Sequence, residues 1–418
     1  MIRSLILAVT VGAGGLLAGC GFDWPTPGEI AVTSEPSGAA ISLDGRATGL
    51  ATPAVLRELD GGLYRVTVAQ EGVVYRPDAK DVDVAYGQRA NLHFETGTGS
   101  IAVASNPPGA AIVLDGVLTD RVTPHTFNDV DPGEHTVTTQ LAHHRNQTGE
   151  LTVTVTRNTE ATADFTLVIA TVVLFEGFSN VSCTGCPLML NNIAWLMDAG
   201  GYGFDRLVFI KYAGSNPNGA DPMFLSNMTM VRNRSSYYTG MQTFALPTLV
   251  IQGGLAGSSG TPPGADGMQQ AVAAGSLAPI EFYLTVTAPL ADDLELRDVD
   301  CEITVHAPYA DIDLSEYLLR AVLVYAEVHT AIEYNPGGSE YHWVARRDAE
   351  VTNSLGIVAA AEPLVLTTTL NDPDPTLFNL TPFGREVIVF VQHNTTKNVI
   401  QAGSTMATSA AQTSARRF

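Results

Sequence analysis

The sequence is poor in charged residues, and above all in basic ones. Only 16% of its 418 residues are Asp, Glu, Lys or Arg, against roughly 25% in typical soluble domains. The 22 basic and 43 acidic residues give a formal net charge of −21. Nucleic-acid binding needs a cationic surface that displaces counterions from the phosphates. The charge balance therefore argues against a nucleic-acid partner and against attraction to an anionic membrane surface.

Cysteine is scarce too, and long apolar runs are nearly absent. The chain has four cysteines, at positions 20, 183, 186 and 301, and this arrangement is not that of a disulfide scaffold. Beyond the N-terminal segment, the longest apolar run covers residues 165–175, about half of the ~20 residues that a membrane-spanning helix needs. We expect this run to form two buried strands that meet at a domain junction. The 39 glycines and 23 prolines favour a turn-rich β protein over disorder.

The first twenty residues have the pattern of a secretory signal. Arg3 precedes an apolar run over residues 5–11, and the segment ends in Leu17-Ala18-Gly19-Cys20. This ending resembles the lipobox of bacterial lipoproteins. The resemblance implies that residues 1–19 are a lipoprotein signal peptide and that Cys20 carries lipid as the mature N-terminus. The alternative is an ordinary signal peptide with an incidental cysteine.

A lipid on Cys20 predicts a membrane partner, because several acyl chains on one residue hold a protein stably on a bilayer. Residues 20–27 then form a short tether. Gly21, directly after the cysteine, does not resemble an inner-membrane retention signal. We therefore expect a cell-envelope protein anchored to the outer membrane, on its periplasmic or its surface face, rather than to the inner membrane.

A duplication with a constant offset of 71 residues follows the tether. The matching segments are Ile30-Ala31-Val32 with Ile101-Ala102-Val103, Leu43-Asp44-Gly45 with Leu114-Asp115-Gly116, and Thr52-Pro53 with Thr123-Pro124. Short alternating runs on either side of each Asp-Gly predict β-hairpins, since this dipeptide supplies the positive φ that tight hairpin turns require.

The repeated unit resembles the PEGA module of bacterial envelope proteins. The motif reads Pro36-Ser37-Gly38-Ala39 in one copy and Pro107-Pro108-Gly109-Ala110 in the other, so its usual Glu is absent from both. The resemblance implies two small β-sandwich modules, 28–96 and 97–169, that act as a spacer or a binding surface without chemistry of their own. We interpret His143-His144, in the second copy, as a solvated strand end, because no Cys or carboxylate stands at ligand spacing.

A different pattern begins at residue 171 and predicts a third domain over 170–278. The predicted elements are, in order, a buried strand (172–175), a Cys183-Thr184-Gly185-Cys186 motif, a helix to about 197, a strand (207–212), a helix (221–238) and a strand entered through Pro247 (245–251). This order resembles the thioredoxin fold. The resemblance implies an α/β domain with a disulfide-exchange site.

The chemistry of such a site would lie on Cys183. Two cysteines three apart at a helix N-terminus can close a small disulfide, and the helix N–H groups favour the leading thiolate. By the resemblance, Cys183 is the attacking nucleophile, Cys186 resolves the mixed disulfide, and Pro247 shapes the groove for an envelope protein or peptide partner. Glu176, on or after the first strand, is either a buried proton acceptor or a solvated strand end. No cofactor or metal is expected.

Two other interpretations of the CxxC motif compete with exchange. Half of a zinc site is disfavoured, because no second CxxC or His pair completes four ligands. The interpretation of the motif as a disulfide that only stabilises the turn remains open, because its surroundings depart from those of active thioredoxins. Ser182 replaces an aromatic residue, and Leu246 precedes Pro247. The chain is then either a thiol–disulfide oxidoreductase or a non-enzymatic binding or structural lipoprotein, and the sequence does not decide between them.

The last part of the chain predicts a β-sandwich over 279–404, followed by a disordered tail, 405–418. Six strands are expected: 279–289, 301–306, 318–329, 341–351, 364–370 and 386–393. Segments 321–327, 341–347 and 389–394, together with the CxxC domain, resemble the Omp28-related outer membrane protein family over about 171–403. This resemblance implies an envelope lipoprotein with a thioredoxin-like domain before an Ig-like domain.

Four further residues are expected to be structural. Cys301 lies in an alternating strand pattern and is predicted to be a buried core thiol. Glu327, His342 and Arg346 stand on predicted strands, where a salt-bridge cluster is a simpler explanation than a site.

Overall fold

A computed structural model describes most of the chain: residues 26–197, 199–215, 221–240, 245–257, 260–278, 280–289, 297–334, 338–360, 362–372 and 380–405. The predicted signal peptide, Cys20, and all but the first residue of the predicted disordered tail lie outside the described residues. The protein is mostly β and multidomain, with several separate sheets. No helix among the described residues is long and apolar enough to cross a membrane.

The chain divides into two compact units. The first contains the described residues up to Ala104, together with Ile112–Val137 and Glu150–Asp164. The second contains Ser105–Ala111, Thr138–Gly149 and the described residues from Phe165 onward.

The first repeat forms two small sheets around one apolar core. The strands are β1 (Gly28–Glu35), β2 (Ala40–Leu43), β3 (Arg46–Ala51), β4 (Ala54–Leu59), β5 (Gly62–Ala69), β6 (Ala79–Val84) and β7 (Arg89–Glu95). One sheet has the order β4-β1-β7 and the other β3-β2-β5-β6. Alternate residues of β1 are buried, among them Ile30 and Val32, and they pack with Ile41, Val66 and Phe94. The alternation identified in the sequence is thus the alternation between core and solvent.

The second repeat has the same kind of construction. Its strands are β8 (Gly99–Asn106), β9 (Ala111–Leu114), β10 (Val117–Val122), β11 (His125–Val130), β12 (Gly133–Gln140), β13 (His144–Asn146), β14 (Leu151–Val155) and β15 (Glu160–Ile169). The sheets have the orders β10-β9-β12-β14 and β11-β8-β15-β13.

The 71-residue offset holds in three dimensions. Asp44 and Asp115 have φ of 47° and 51°, and each carboxylate accepts a hydrogen bond from the backbone N–H of a residue on the neighbouring strand (Arg65 at 2.8 Å, Thr136 at 2.9 Å). A Cβ on Gly28 would lie 2.3 Å from Val84, and a Cβ on Gly99 would lie 2.5 Å from Val155, again 71 residues on. The two copies therefore share turn geometry and close contacts as well as sequence.

The rest of the chain supplies all four helices of the described residues and thirteen strands. The helices are α1 (Cys186–Met197), α2 (Pro222–Ser226), α3 (Met228–Thr239) and α4 (Ala265–Leu277). The strands are β16 (Val173–Ser179), β17 (Leu207–Ala213), β18 (Thr248–Ile251), β19 (Gly254–Ala256), β20 (Tyr283–Thr287), β21 (Asp298–His306), β22 (Ile312–Asp313), β23 (Tyr317–Tyr334), β24 (Gly338–Thr352), β25 (Ile357–Val358), β26 (Leu364–Asn371), β27 (Leu380–His393) and β28 (Val399–Ser404).

Eight of these strands form one sheet with the order β19-β18-β16-β17-β24-β23-β27-β28. Strands β16, β17 and β24 run parallel to one another, and the other neighbours are antiparallel. Every residue of β16 and of β17 is buried, as expected for parallel strands covered on both faces.

The two faces of this sheet belong to two different cores. On β23, Val322 and Val324 pack in the core that also contains Met189 and Ile193 of α1. The alternate residues Leu319, Ala321 and Leu323 pack in a second core, with residues of the three-stranded sheet β20-β21-β26. All six strands predicted after residue 278 are present. Three of them, β23, β24 and β27, lie in the same large sheet as β16–β19 of the CxxC region. This sheet therefore crosses the domain boundary predicted at 278/279.

The single helix predicted over 221–238 is two helices. Asn227, with φ −141° and ψ 30°, interrupts the helical conformation between α2 and α3. Asp221 caps α2, and its carboxylate accepts hydrogen bonds from the backbone N–H of Met223 (2.9 Å) and Phe224 (3.2 Å). This capping arrangement is the usual one for Asp at a helix N-terminus.

Candidate functional site

The two cysteines of the CxxC motif form a disulfide just after β16. Cys186 is the first residue of α1, and the Cα atoms of Cys183 and Cys186 are 5.4 Å apart. The residues are 5% and 2% exposed, whereas Thr184 and Gly185 between them are exposed. Cys183 thus precedes the first helical turn, where unpaired N–H groups stabilise a thiolate after reduction.

A polar turn holds this motif in place. The Asn180 amide donates to the carbonyl of Gly214 (2.7 Å), and its oxygen accepts from the N–H of Ser182 (2.8 Å). The N–H of Val181 donates to the second oxygen of Asp221 (3.0 Å). Asp221 therefore fastens the CxxC turn to α2, as well as capping that helix.

Pro247 packs against the loop between the two cysteines. The Leu246–Pro247 peptide bond is cis, and Pro247 is buried. A Cβ built on Gly185 would lie 3.2 Å from Pro247 Cδ, so the ring contacts the loop between the two cysteines. The structure thus brings together Cys183, Cys186 and Pro247, which lie far apart in sequence. Their catalytic roles stay predictions, and Cys20 lies outside the described residues.

A cleft of about 370 Å³ opens behind Cys186. Its walls come from the end of β16, the first turns of α1, the middle of β17 and the start of β24. The lining includes Ser179, Leu190, Phe209, Lys211 and Trp343, along with Cys186. Cys183, Pro247 and the exposed Thr184-Gly185 loop do not line it.

Lys211 is the charged group in this cleft. It is 1% exposed, and its Nζ lies 4.0 Å from the centre of the Tyr341 ring. Burial lowers its pKa from 10.5 to about 8, although the nearby Asp221 carboxylate favours the charged form. Burial in turn raises the pKa of Asp221, against the influence of Lys211 and of three backbone N–H groups.

Glu176 is not a solvated strand end, and its carboxylate has several polar partners. It is fully buried in β16 and forms a two-point ion pair with Arg234 of α3, at 2.7 Å from Nε and 2.9 Å from the second NH group. The Tyr238 hydroxyl also donates to it. A carboxylate held by a guanidinium and a phenol anchors the sheet to the helix. Glu176 is thus buried, as the proton-acceptor alternative requires, and that role stays a prediction.

The other polar residues singled out in the sequence have separate partners. His143 is exposed directly before β13, as predicted, and its ring stacks on Tyr283 (centroids 4.2 Å apart), which stacks in turn on His306 (4.5 Å). Of the three residues predicted to be structural, Glu327 forms an ion pair with His329 and is the register partner of His342 on β24. Arg346 lies 3.5 Å from Asp372.

Cys301 is a buried free thiol, as predicted. Burial, with a smaller contribution from Asp300, raises its pKa to about 11. No group of three or more His, Cys, Asp or Glu within the described ranges could hold a metal ion.

These observations define a class, a multidomain and mostly β protein whose repeated N-terminal modules are joined to a region with a local disulfide. The comparisons identify the modules. A sequence model of the PEGA domain family matches residues 27–96 and 98–170, so the chain contains two PEGA domains. A comparison with curated protein sequences gives no significant match.

Solved structures show only distant likeness. HBP35 of Porphyromonas gingivalis is 13% identical, with 60% of this chain and 79% of that chain covered and a TM-score of 0.41. The minor pilin GBS52 of Streptococcus agalactiae is 11% identical over 33% of this chain and 94% of that chain, with a TM-score of 0.20. The TIE protein of Bacillus anthracis is 16% identical over 37% and 36% of the two chains, with a TM-score of 0.17. Likeness at this level carries no argument about function.

Proposed function

We propose that the protein is a lipid-anchored cell-envelope protein that carries out thiol–disulfide exchange. In this proposal Cys20 anchors it to the membrane, the two PEGA domains act as spacers, and the region around Cys183 is a thioredoxin-like domain. The observation that carries the proposal is the contact between Pro247 and the CxxC loop. A closed CxxC disulfide between a buried parallel strand and a helix N-terminus, with a proline packed on the loop, supports exchange, because the helix N–H groups favour the thiolate that attacks.

The reaction is a pair of sulfur displacements. In the reduced protein, the Cys183 thiolate attacks one sulfur of a partner's disulfide. A Cys183–partner bond forms, the partner's S–S bond breaks, and its other sulfur leaves as a thiolate that takes a proton from water. The Cys186 thiolate then attacks Cys183 and releases the partner's first sulfur. The partner gains two electrons, and the protein is left with the Cys183–Cys186 disulfide.

The reverse sequence oxidises a partner dithiol and uses the same atoms. In this proposal Cys183 is the sulfur that a partner reaches, and its slightly greater exposure than Cys186 (5% against 2%) supports that role. The partner class is therefore an envelope protein or peptide that presents cysteine next to the exposed Thr184-Gly185 loop.

The test is to trap the intermediate in cells. The Cys186→Ser variant lacks the thiol that resolves a mixed disulfide on Cys183. It should therefore accumulate mixed disulfides, and these should disappear on reduction. A Cys183→Ser, Cys186→Ser double variant is the matched control and should form none. Absence of adducts from Cys186→Ser, together with absence of insulin reduction by the wild-type chain, would overturn the proposal.

A second candidate function is supported by one observation. Both cysteines are at most 5% exposed, as in a disulfide that only stabilises a turn, and the PEGA domains would then bind the partner. In that case the double variant Cys183→Ala, Cys186→Ala keeps the cellular phenotype. Deletion of residues 28–169 abolishes it. A folded double-alanine variant without the phenotype would exclude this candidate.

A further inference from the structure

The cleft behind Cys186 contains two buried polar groups that the proposed exchange reaction does not use. Ser179 is 1% exposed, and its Oγ has no hydrogen-bond partner among the described residues. Lys211 is equally buried, and no carboxylate of the described residues lies within ion-pair distance of its Nζ. Buried polar groups are nearly always hydrogen-bonded, so the unsatisfied Ser179 hydroxyl needs an explanation.

The rest of the wall is mostly apolar and aromatic, and Asn180, Asn191 and His342 are its other polar residues. Leu190, Ile193, Phe209 and Trp343 line the cleft along with the aliphatic part of Pro187. Trp343 also has a φ of 55° inside β24, an unusual conformation for a bulky residue and one that clusters at ligand sites. A concave, mostly apolar cavity of this volume with a few convergent polar groups is the usual form of a small-molecule site.

We propose that this cleft binds a small organic acid, with its carboxylate on Lys211 and Ser179 and an aromatic or branched apolar body against Leu190 and Trp343. The Lys211 ammonium and the Ser179 hydroxyl are both donors, so they call for an acceptor on the ligand, and a carboxylate offers two. The charge favours an anion over a neutral acceptor, because a charge-assisted hydrogen bond is about twice as strong as a neutral one.

Asp221 is the carboxylate that favours the charged form of Lys211. It does not accept a hydrogen bond from the Lys211 ammonium in place of a ligand. Both of its oxygens accept backbone N–H groups, one from Val181 and the other from Met223 and Phe224. Its carboxylate is therefore committed to the CxxC turn and to α2. It holds Lys211 in the charged form at neutral pH without occupying the ammonium donors.

The site is independent of the exchange reaction, because neither Lys211 nor Ser179 takes part in a sulfur displacement. Benzoate is the probe that matches the cleft in charge and shape, and benzyl alcohol is its neutral counterpart. Calorimetric titration of the full chain at pH 7 should detect benzoate binding at concentrations up to about 10 mM. Benzyl alcohol should bind at least about tenfold more weakly.

Three variants make the assignment specific. Lys211→Met removes the charge at nearly constant volume and should weaken benzoate binding by about tenfold or more. Lys80→Met makes the same change in the first PEGA domain and should leave binding unaltered. Ala194→Phe fills the cleft without touching Lys211 and should abolish binding. Raising the pH from 7 to 9 should weaken binding to the wild-type chain by about tenfold, as Lys211 loses its proton, but not to Lys211→Met.

Two results would overturn the proposal. One is that benzoate gives no binding to the wild-type chain in the stated range. The other is that Lys211→Met or Ala194→Phe binds benzoate as tightly as the wild type does. Circular dichroism and the thermal midpoint of each variant establish that it is folded, and failure of the cysteine trap leaves these results unaffected.

Discussion

Pro247 packs directly on Gly185, in the middle of the CxxC loop. A Cβ at position 185 would lie 3.2 Å from Pro247 Cδ, closer than an ordinary van der Waals contact. The relationship joins two parts of the chain about sixty residues apart at the proposed site of exchange. It makes the loop between the cysteines sensitive to side-chain size at position 185, where the Pro247 ring lies.

The first prediction follows from that contact. Gly185→Val should displace the Pro247 ring and slow exchange with a protein disulfide by about tenfold or more, because a small misplacement of reacting groups costs up to about 100-fold. Thr184→Val is the matched control, since it makes a nearly isosteric change at an exposed neighbour. The measurement is the rate of insulin reduction by each variant. Equal rates for Gly185→Val and the wild type would contradict a role for this contact.

The buried ion pair between Glu176 and Arg234 gives a prediction on stability. Arg234→Met leaves a buried carboxylate without its partner and should lower the free energy of unfolding by about 3–5 kcal/mol. Arg65→Met breaks the Arg65–Asp81 pair, whose side chains are 61% and 54% exposed, and should cost less than about 1 kcal/mol. Urea denaturation compares the two. A small effect of Arg234→Met would contradict the anchoring role of Glu176.

The lowered pKa of Lys211 predicts a pH dependence. The unfolded chain holds the Lys211 proton up to a pKa near 10.4, whereas the folded chain releases it near 8. Between these values the unfolded state binds more protons, so stability rises with pH. The wild type should gain roughly 2.5 kcal/mol relative to Lys211→Met between pH 8 and pH 10.4. Urea denaturation of both chains across this range tests it, and a constant difference would show that Lys211 titrates normally.

The duplication predicts matched glycine effects in the two PEGA domains. A Cβ on Gly99 would lie 2.4 Å from the backbone carbonyl of Thr156, and one on Gly28 would lie 2.8 Å from that of Ala85, 71 residues earlier. Gly99→Ala and Gly28→Ala should each cost about 1–3 kcal/mol by overpacking. Gly254→Ala, whose Cβ would meet only a carbonyl at 3.6 Å, should change the thermal midpoint little. Unequal effects in the two modules would argue against equivalent packing.

The sequence predicted the local features well, because they depend on neighbouring residues. The Asp-Gly turns at Asp44 and Asp115, the helix that begins at Cys186 and the six C-terminal strands are all present. The interruption at Asn227 was missed, because a capping aspartate at residue 221 signals where a helix begins and says nothing of where it ends.

Long-range relationships could not be predicted, because no local pattern encodes them. The pairing of β17 with β24 joins Lys211 to Val344 across more than a hundred residues, and it creates the cleft. Arg234 lies in a segment whose pattern predicts only a helix. No sequence pattern therefore predicts its ion pair with Glu176. A lysine within the apolar run of β17 was the one available signal for the cleft, because buried lysines are rare.

The measurement that tests the central claim most directly is the reduction potential of the Cys183–Cys186 pair. The full chain is equilibrated in thiol–disulfide buffers of graded potential, and the free thiols are alkylated and counted by mass, with buried Cys301 as a constant background. Exchange activity predicts a midpoint between about −120 and −270 mV, the range of thiol–disulfide oxidoreductases. A midpoint below about −300 mV, the range of structural disulfides, would contradict it.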